Sequence, residues 1–424
     1  MRRQVFGATL VKATATLASY AAQYTLILVM TQVAFGRFSL MMSVASIAAM
    51  VVVLGHPQVV LRSVAAQIAS GISHGINGIW RKSHIWIFAA SGLMLLGVWV
   101  FGAKSEDAAL VGQLGWAVAI LPVWALLKLN SALLYGANQI TIAQFAETAI
   151  RPFCLFCFVL AVHLFAKDLT VAQALFLNFL AFIVAYASVV IVNLRQNSFQ
   201  HLRPLDKASN QNPGWFSASL IFSLISATQL LILNVDILMI GWMLSDEKVA
   251  LYRVSIFVAL AIGSVEEVAS IVIRPMVAAA YNSGKLPETL PRIRKLARAG
   301  AFFCGTTFIL FWIFGDKFIL LMFGKEYALA YTPTLILIAG VTISTLIGPI
   351  GIILNMTKHE KAHFWVALIS LMINIVLNFV LIPHYGITGS AIASFITILV
   401  YRLSAVVLFT RLTGLSCFPR SMQR

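Results

Sequence analysis

The stretch HFWVALISLMINIVLNFVLIP, His363–Pro383, followed two residues later by GITGSAIASFITILVYRLSAVVLFTRL, Gly386–Leu412, decides the fold. Each run is apolar over about 20 residues or more, the length a helix needs to cross a hydrocarbon core about 30 Å thick. The pair therefore reads as two successive membrane spans. Working back from it, apolar runs near 214–244, 249–281, 298–323 and 328–354 complete six spans in the second half. The first half offers six more, near 8–34, 39–61, 84–103, 112–136, 142–166 and 172–194. The expectation is an all-α polytopic membrane protein of about twelve transmembrane helices. It comprises an N-terminal six-helix lobe at 1–194, a cytoplasmic linker at 195–213 and a C-terminal six-helix lobe at 214–424. Hydrophobic residues make up 60% of the chain and charged residues 10%, which leaves no room for a soluble domain.

The loops set an orientation, because Lys and Arg near span ends are retained on the cytoplasmic side. One alternating set holds Arg2, Arg3, Arg62, Arg81, Lys82, Arg195, Arg203, Lys207, Lys285, Arg292, Arg294, Lys295, Arg298, Lys358, Lys361, Arg411, Arg420 and Arg424. In the other set acids offset the cations, with Arg37 alone lacking a neighbouring acid: Glu106 and Asp107 against Lys104, Asp168 against Lys167, Asp246 and Glu247 against Lys248, Glu326 beside Lys325. Both termini are thus expected in the cytoplasm. The net charge of +16 is accounted for mostly by this asymmetry, with a further role in holding anionic lipid headgroups, and not by nucleic-acid binding. The first apolar stretch is too long for a cleavable signal and carries Lys12, Thr16, Ser19 and Gln23, so the first helix is expected to stay.

The halves repeat at an offset of about 212 to 220 residues. AFGRFSLMM at Ala34–Met42 answers KVALYRVSI at Lys248–Ile256, pairing Phe38 with Tyr252; VVLR ending at Arg62 answers IVIR ending at Arg274; LLYGANQ at Leu133–Gln139 answers IILNMTK at Ile352–Lys358. Duplicated six-helix halves are a transporter architecture, and an even number of spans per half makes the repeat parallel.

Polar residues mark the wet faces. Thr9, Lys12, Thr16, Ser19 and Gln23 share one face of the first span at steps of three and four, and Ser219, Ser223, Ser226, Gln229 and Asp236 do so in the seventh. In the eighth, Gly263, Ser264, Glu267, Ser270 and Arg274 follow helical steps that Arg253 extends. Hydroxyls on such a stripe serve equally well by bonding their own helix backbone, whereas charges at membrane depth face a bundle interior or a watery path. Lys128, Arg151, Glu266, Glu267 and Arg402 all fall deep within spans. The excess of cations suits an anionic cargo carrying a phosphate or diphosphate. Lys12, Arg62, Lys128 and Arg274, with Gln23, Ser226 and Ser270, are the candidate substrate contacts. Asp236, Arg253 and Glu267 are candidates for coupling or gating; the two carboxylates read either as protonatable groups or as partners of Arg253 and Arg274. Glu147 and Arg151, at i and i+4, read as an internal pair. Cys154 and Cys157 form a CxxC inside an apolar span, where a packed face is the plain reading. No metal site, cofactor or catalytic motif is expected, with H+ or Na+ as candidate coupling ions.

Four stretches resemble the polysaccharide transporters related to O-antigen flippases, within the superfamily that also holds the MATE drug exporters and the lipid II flippase. They are Phe35–Arg62, Val235–Ser255, Phe323–Gly340 and Gly348–Phe395. The last is the most specific, through Asn374, Asn378, Ile382, Pro383, Tyr385, Gly386, Gly389 and Ala391. Ala250, where the family often has Gly, and Arg253 directly after Tyr252 depart from the pattern. The resemblance implies a two-lobed flippase, and not an enzyme, that works by alternating access. Its cargo would be an undecaprenyl-diphosphate-linked glycan moved across the bacterial inner membrane for O-antigen, capsule or exopolysaccharide synthesis. Membrane lipids, a polysaccharide polymerase and a chain-length regulator are the implied partners. The rival expectation, a MATE-like exporter of small cationic compounds, calls for acidic residues to dominate the cavity. A lipid II flippase reading is disfavoured because about twelve spans, and not fourteen, fit the length.

Overall fold

A computed structural model describes residues 2–70, 76–165, 169–202, 215–357 and 359–415. Most of the expected linker 195–213, with Arg203 and Lys207, lies outside the described residues, as do Lys167, Asp168, Lys358, Cys417, Arg420 and Arg424. Every regular element among the described residues is helical. The first half comprises α1 (Arg2–Val29), α2 (Gln32–Val53), α3 (His56–Ser70), α4 (Ile76–Gly102), α5 (Ala108–Gly136), α6 (Ile140–Gln144), α7 (Ile150–Phe165) and α8 (Val171–Arg195). The second comprises α9 (Trp215–Met243), α10 (Asp246–Asn282), α11 (Leu286–Phe323), α12 (Tyr331–Ile347), α13 (Ile350–Met356) and α14 (Glu360–Thr413).

Local chemistry marks the starts of several helices. The Thr31 hydroxyl accepts from the Ala34 amide at 3.3 Å, the Asp107 carboxylate accepts from the Leu110 amide at 2.9 Å, and Thr170 with Gln173 forms a reciprocal capping box. The Asp107 carboxyl is held below the usual carboxylate range, first by that amide and then by Arg37, whose guanidinium lies 3.3 Å away. Several expected spans prove to be bent or broken. The second divides at Leu54 and Gly55, both at positive φ, into α2 and α3. The fifth contains a π turn, Phe145–Ala149, between α6 and α7. The tenth ends α12 at Gly348 and restarts as α13. Continuous helix from Glu360 to Thr413 would measure about 80 Å at 1.5 Å per residue. It is folded back at Gly386 instead, where φ is 58° and ψ is −137°, a conformation that a Cβ would strain. His363 and Tyr401 consequently meet at 2.6 Å across the two arms.

Among the described residues, nine helices are long and apolar enough to cross a membrane, ten with α9, which bends by 45°. Dividing α14 at Gly386 makes eleven. The twelfth is α1, whose polar stripe lowers its hydropathy without shortening it. The chain is a multi-pass membrane protein.

The chain forms two compact units, Met1–Leu230 and Leu231–Arg424. In the first, α5 is central. Its Ile120, Leu127 and Leu134, one heptad apart, pack on Phe182, Ala185 and Val189 of α8 and on Ala143 and Ala146. In the second, Ile273, Val277 and Ala280 of α10 meet Leu286, Leu290 and Ile293 of α11, with Ile350, Ile353 and Leu354 of α13 and Phe409 of α14. The spacing of those three α11 residues explains why this helix starts well before its apolar run: one buried face continues below Arg298.

Candidate functional site

The second unit contains a buried carboxylate, Asp236 on α9, 7% exposed. A charge there costs several kcal/mol without partners, and three helical segments supply them. The Tyr252 hydroxyl of α10 donates to Oδ2 at 2.8 Å, the Ser394 hydroxyl donates to the same oxygen, and the Asn378 amide donates to Oδ1 at 2.8 Å. Asn378 Nδ2 also lies 3.0 Å from the Asn374 side-chain oxygen. All of these donors are neutral. Arg253, one residue after Tyr252, sits half-buried on another face of α10. The Asn378 Oδ1 atom is buried and accepts no hydrogen bond among the described residues. The Tyr252 and Ser394 hydroxyls and the Asn378 amide thus all point hydrogens at one carboxylate, with the Asn374 side-chain oxygen beside it, an oxygen-rich cluster suited to a proton or, with those hydrogens turned away, to a small hard cation.

A second cluster in the same unit is ionic. Arg402 on the second arm of α14 donates to Glu266 of α10, to the Ser344 hydroxyl at 2.8 Å and to the Gly348 carbonyl at 3.1 Å. Gly348 is where α12 ends, and its carbonyl accepts from both Arg402 and the Ile350 amide, the latter at 2.9 Å. Beside it, His363 Nδ1 donates to Asn355 Oδ1 at 2.8 Å, leaving Nε2 to accept from the Tyr401 hydroxyl.

In the first unit, Lys128 donates to Glu147; their side chains are 43% and 8% exposed. The expected Glu147–Arg151 pairing gives way to this one. The π turn adds a residue to the repeat and turns positions 147 and 151 away from the stacked i, i+4 register. Arg151 lies instead over the Phe182 ring, 4.8 Å from its centroid.

The remaining sequence candidates lie on α1, α3, α9 and α10. Lys12 and Gln23 are half-buried on α1, Ser226 is half-buried on α9, and Arg62 on α3, Glu267 on α10 and Arg274 on α10 are exposed. Ser270 is buried and donates to the Glu266 carbonyl, as Ser19 does to Ala15 and Thr228 to Leu224. The backbone-bonding role of these hydroxyls is thus the one observed.

No protein-family model matches the sequence, and no curated protein matches it. Solved structures do match, over nearly the full chain. The lipid II flippase MurJ in an inward closed conformation aligns with TM-score 0.74 at 12% identity, covering 95% of this chain and 87% of that one. An inward-facing multidrug resistance MATE family transporter of the MOP superfamily aligns at 0.68 and 12%, covering 95% and 96%. A MOP superfamily transporter from Pyrococcus furiosus, described as having a binding pocket of reverse polarity, aligns at 0.64 and 13%, covering 96% and 94%. The chain shares the fold of these solved transporters.

Within this fold, sequence reasoning placed Asp236 among the functional candidates but missed its ring of donors. Asn374 with Asn378, and Ser390 with Ser394, are polar pairs at i, i+4 in otherwise apolar runs. That spacing, read as a helix face pointing inward, is the signal that would have found them. Glu266 and Arg402 were noted only for depth, because nothing in their spacing joins residues 136 positions apart.

Proposed function

We propose that this chain is a flippase that moves a polyprenyl-diphosphate-linked oligosaccharide repeat unit across the bacterial inner membrane, for surface polysaccharide synthesis, by alternating access. The observation that carries the reading is the pair Arg62 and Arg274, repeat-related in sequence and both exposed on helices of a membrane protein. Cations kept at such positions suit a diphosphate, which Arg can neutralise and hydrogen-bond. A fold shared with a lipid II flippase supports a lipid-linked cargo. Lys12 and Lys128 join the anion contacts, Lys128 with its charge partly offset by Glu147, while Gln23, Ser226 and Ser270 stand near the sugar path. Both termini and the linker 195–213 lie in the cytoplasm, and a polymerase and chain-length regulator receive the product.

Asp236 is the coupling group. Its donor set fits H+ or Na+, with Asp236, Asn374, Asn378 and Ser394 holding the ion, which would supply the charge change that biases one conformation over the other. Arg253 and Glu267 act as gates. The rival, export of small cations, needs acidic residues to dominate the cargo's path; Asp236 is buried, Glu147 and Glu266 each bond a cation, and of these deep carboxylates Glu267 is the exposed one.

The test is a deletion strain scored for surface polysaccharide and for its lipid-linked repeat on the cytoplasmic face. Loss of polymer with accumulation of the repeat is expected, and Arg62→Ala and Arg274→Ala should fail to restore it at normal protein level. Full complementation by both variants would refute the anion assignment.

A further inference from the structure

The first turns of α11 carry a cationic face with no role in the clusters above. Arg292, Lys295 and Arg298 are exposed, and at helical steps the same stripe continues through Leu296, Phe302, Phe303, Ile309, Leu310 and Ile313, all exposed large apolar residues. The opposite face, Leu286, Leu290 and Ile293, is 6%, 4% and 2% exposed and seated on α10, α13 and α14. The helix is thereby fixed, and its outward stripe passes without turning from guanidinium and ammonium groups into large exposed apolar side chains of the kind that acyl chains cover.

Depth agrees with this division. Arg292 to Arg298 spans about 9 Å along the axis at 1.5 Å per residue, close to the headgroup layer of roughly 5 to 8 Å on each side of the hydrocarbon. Glu288 is the one acid on the stripe, a turn further from the membrane, and Lys285 lies beyond it. A soluble partner would need an outward apolar or acid-complementary surface away from the bilayer; these cations instead stand directly over lipid-facing Phe302 and Phe303.

We infer that Arg292, Lys295 and Arg298 form a binding surface for the phosphate headgroup of an anionic glycerophospholipid, whose acyl chains lie along Phe302, Phe303 and Leu310. The lipid is a resident of the leaflet on that side and is not the transported cargo. Basic residues near an anionic leaflet each add about 1 kcal/mol of attraction, so three of them correspond to about a hundredfold preference over a zwitterionic lipid.

The experiment is native mass spectrometry of the full-length purified chain with phosphatidylglycerol or phosphatidylcholine. The unaltered chain should retain phosphatidylglycerol preferentially, and the variant R292Q/K295Q/R298Q should lose that preference by about a hundredfold, while R292K/K295R/R298K keeps it. Because removing charge can disturb insertion, a second measurement uses the unaltered chain alone: retention of phosphatidylglycerol should fall as salt rises. Inorganic phosphate should not displace the lipid. Equal retention of the two lipids, salt-independent retention, or retention unchanged in the Gln variant would each overturn the inference. Displacement by inorganic phosphate would do the same, by showing an anion site without lipid selectivity. None of these readouts depends on transport, so the inference and the flippase reading fail separately.

Discussion

Removal of Arg402 should destabilise the second lobe more than removal of any surface charge, and the structure sets the size. The Arg402 and Glu266 side chains are 14% and 23% exposed, so both charges are largely out of water. Breaking such a pair by deleting one member costs about 3 to 5 kcal/mol, because the other charge is stranded. Partial exposure argues for the lower end, so Arg402→Leu should cost about 3 kcal/mol. Glu266→Gln should cost less, because Arg402 keeps Ser344 and Gly348 as acceptors. Replacing both, in Glu266→Met/Arg402→Leu, removes the stranded charge, and the Gly348 carbonyl keeps the Ile350 amide as its donor at 2.9 Å. The double variant should therefore be more stable than Arg402→Leu alone. The assay is thermal unfolding of the purified chain in detergent. For a unit of about 200 residues, each kcal/mol moves the midpoint by about 2 to 4 °C, giving roughly 6 to 12 °C for Arg402→Leu. Should the double variant melt at the sum of the two single losses, the ion pair would not be what Arg402 contributes.

Other sites give equally definite outcomes. At Gly389, a Cβ would sit 2.3 Å from the Leu381 carbonyl oxygen, a backbone atom that cannot rotate away. Gly389→Ala should cost about 1 to 3 kcal/mol and lower the yield of folded protein, whereas Gly92→Ala, which meets open space, should leave it unchanged. Lys128→Met strands Glu147, so adding Glu147→Gln should recover much of the lost stability in the same melting assay. Outside the membrane, Asp107 has a lowered folded-state pKa, so its stabilisation exists above the ordinary value of 3.8 and disappears as pH falls through the lower folded value. Asp107→Ala should therefore speed amide exchange at the start of α5 at about pH 6 and make little difference at about pH 2. Equal acceleration at both pH values would contradict the capping role.

The span pattern was legible because a hydrocarbon core imposes one requirement on every segment, a run of apolar residues of fixed length. Partners were legible only where spacing along one helix decides them. The π turn at Phe145–Ala149 shows how little is needed to defeat that rule: one extra residue moves Glu147 from Arg151 to Lys128 on α5. The start of α11 went unread for a different reason. Its cations lower the hydropathy that marks a span, while Leu286, Leu290 and Ile293 keep the helical period of a packed face. The Asp236 cluster needed α9, α10 and the folded-back α14 to meet, which no local pattern encodes.

That convergence also bears on why coupling is assigned to one lobe. Four polar side chains from α10 and both arms of α14 point at Asp236 or its neighbour, and they have reason to converge only while its charge needs them. A bound proton or cation changes that balance and, on the proposed reading, shifts α9 relative to α10 and α14. The repeat puts Phe38 where the second lobe has Tyr252. Phe38 is buried like Tyr252 but offers no hydroxyl, so a carboxylate introduced into α1 would lack the donor that Asp236 has. Within the first lobe, Asn178 instead donates to the Met42 sulfur at 3.1 Å, a weak acceptor. Two halves built on one plan have thus diverged in chemistry. Phe38→Tyr should leave the first lobe folded without creating ion dependence, whereas Tyr252→Phe should weaken ion dependence in the second. Measured by ion-stimulated transport in vesicles, equal effects of the two substitutions would contradict the assignment of coupling to Asp236.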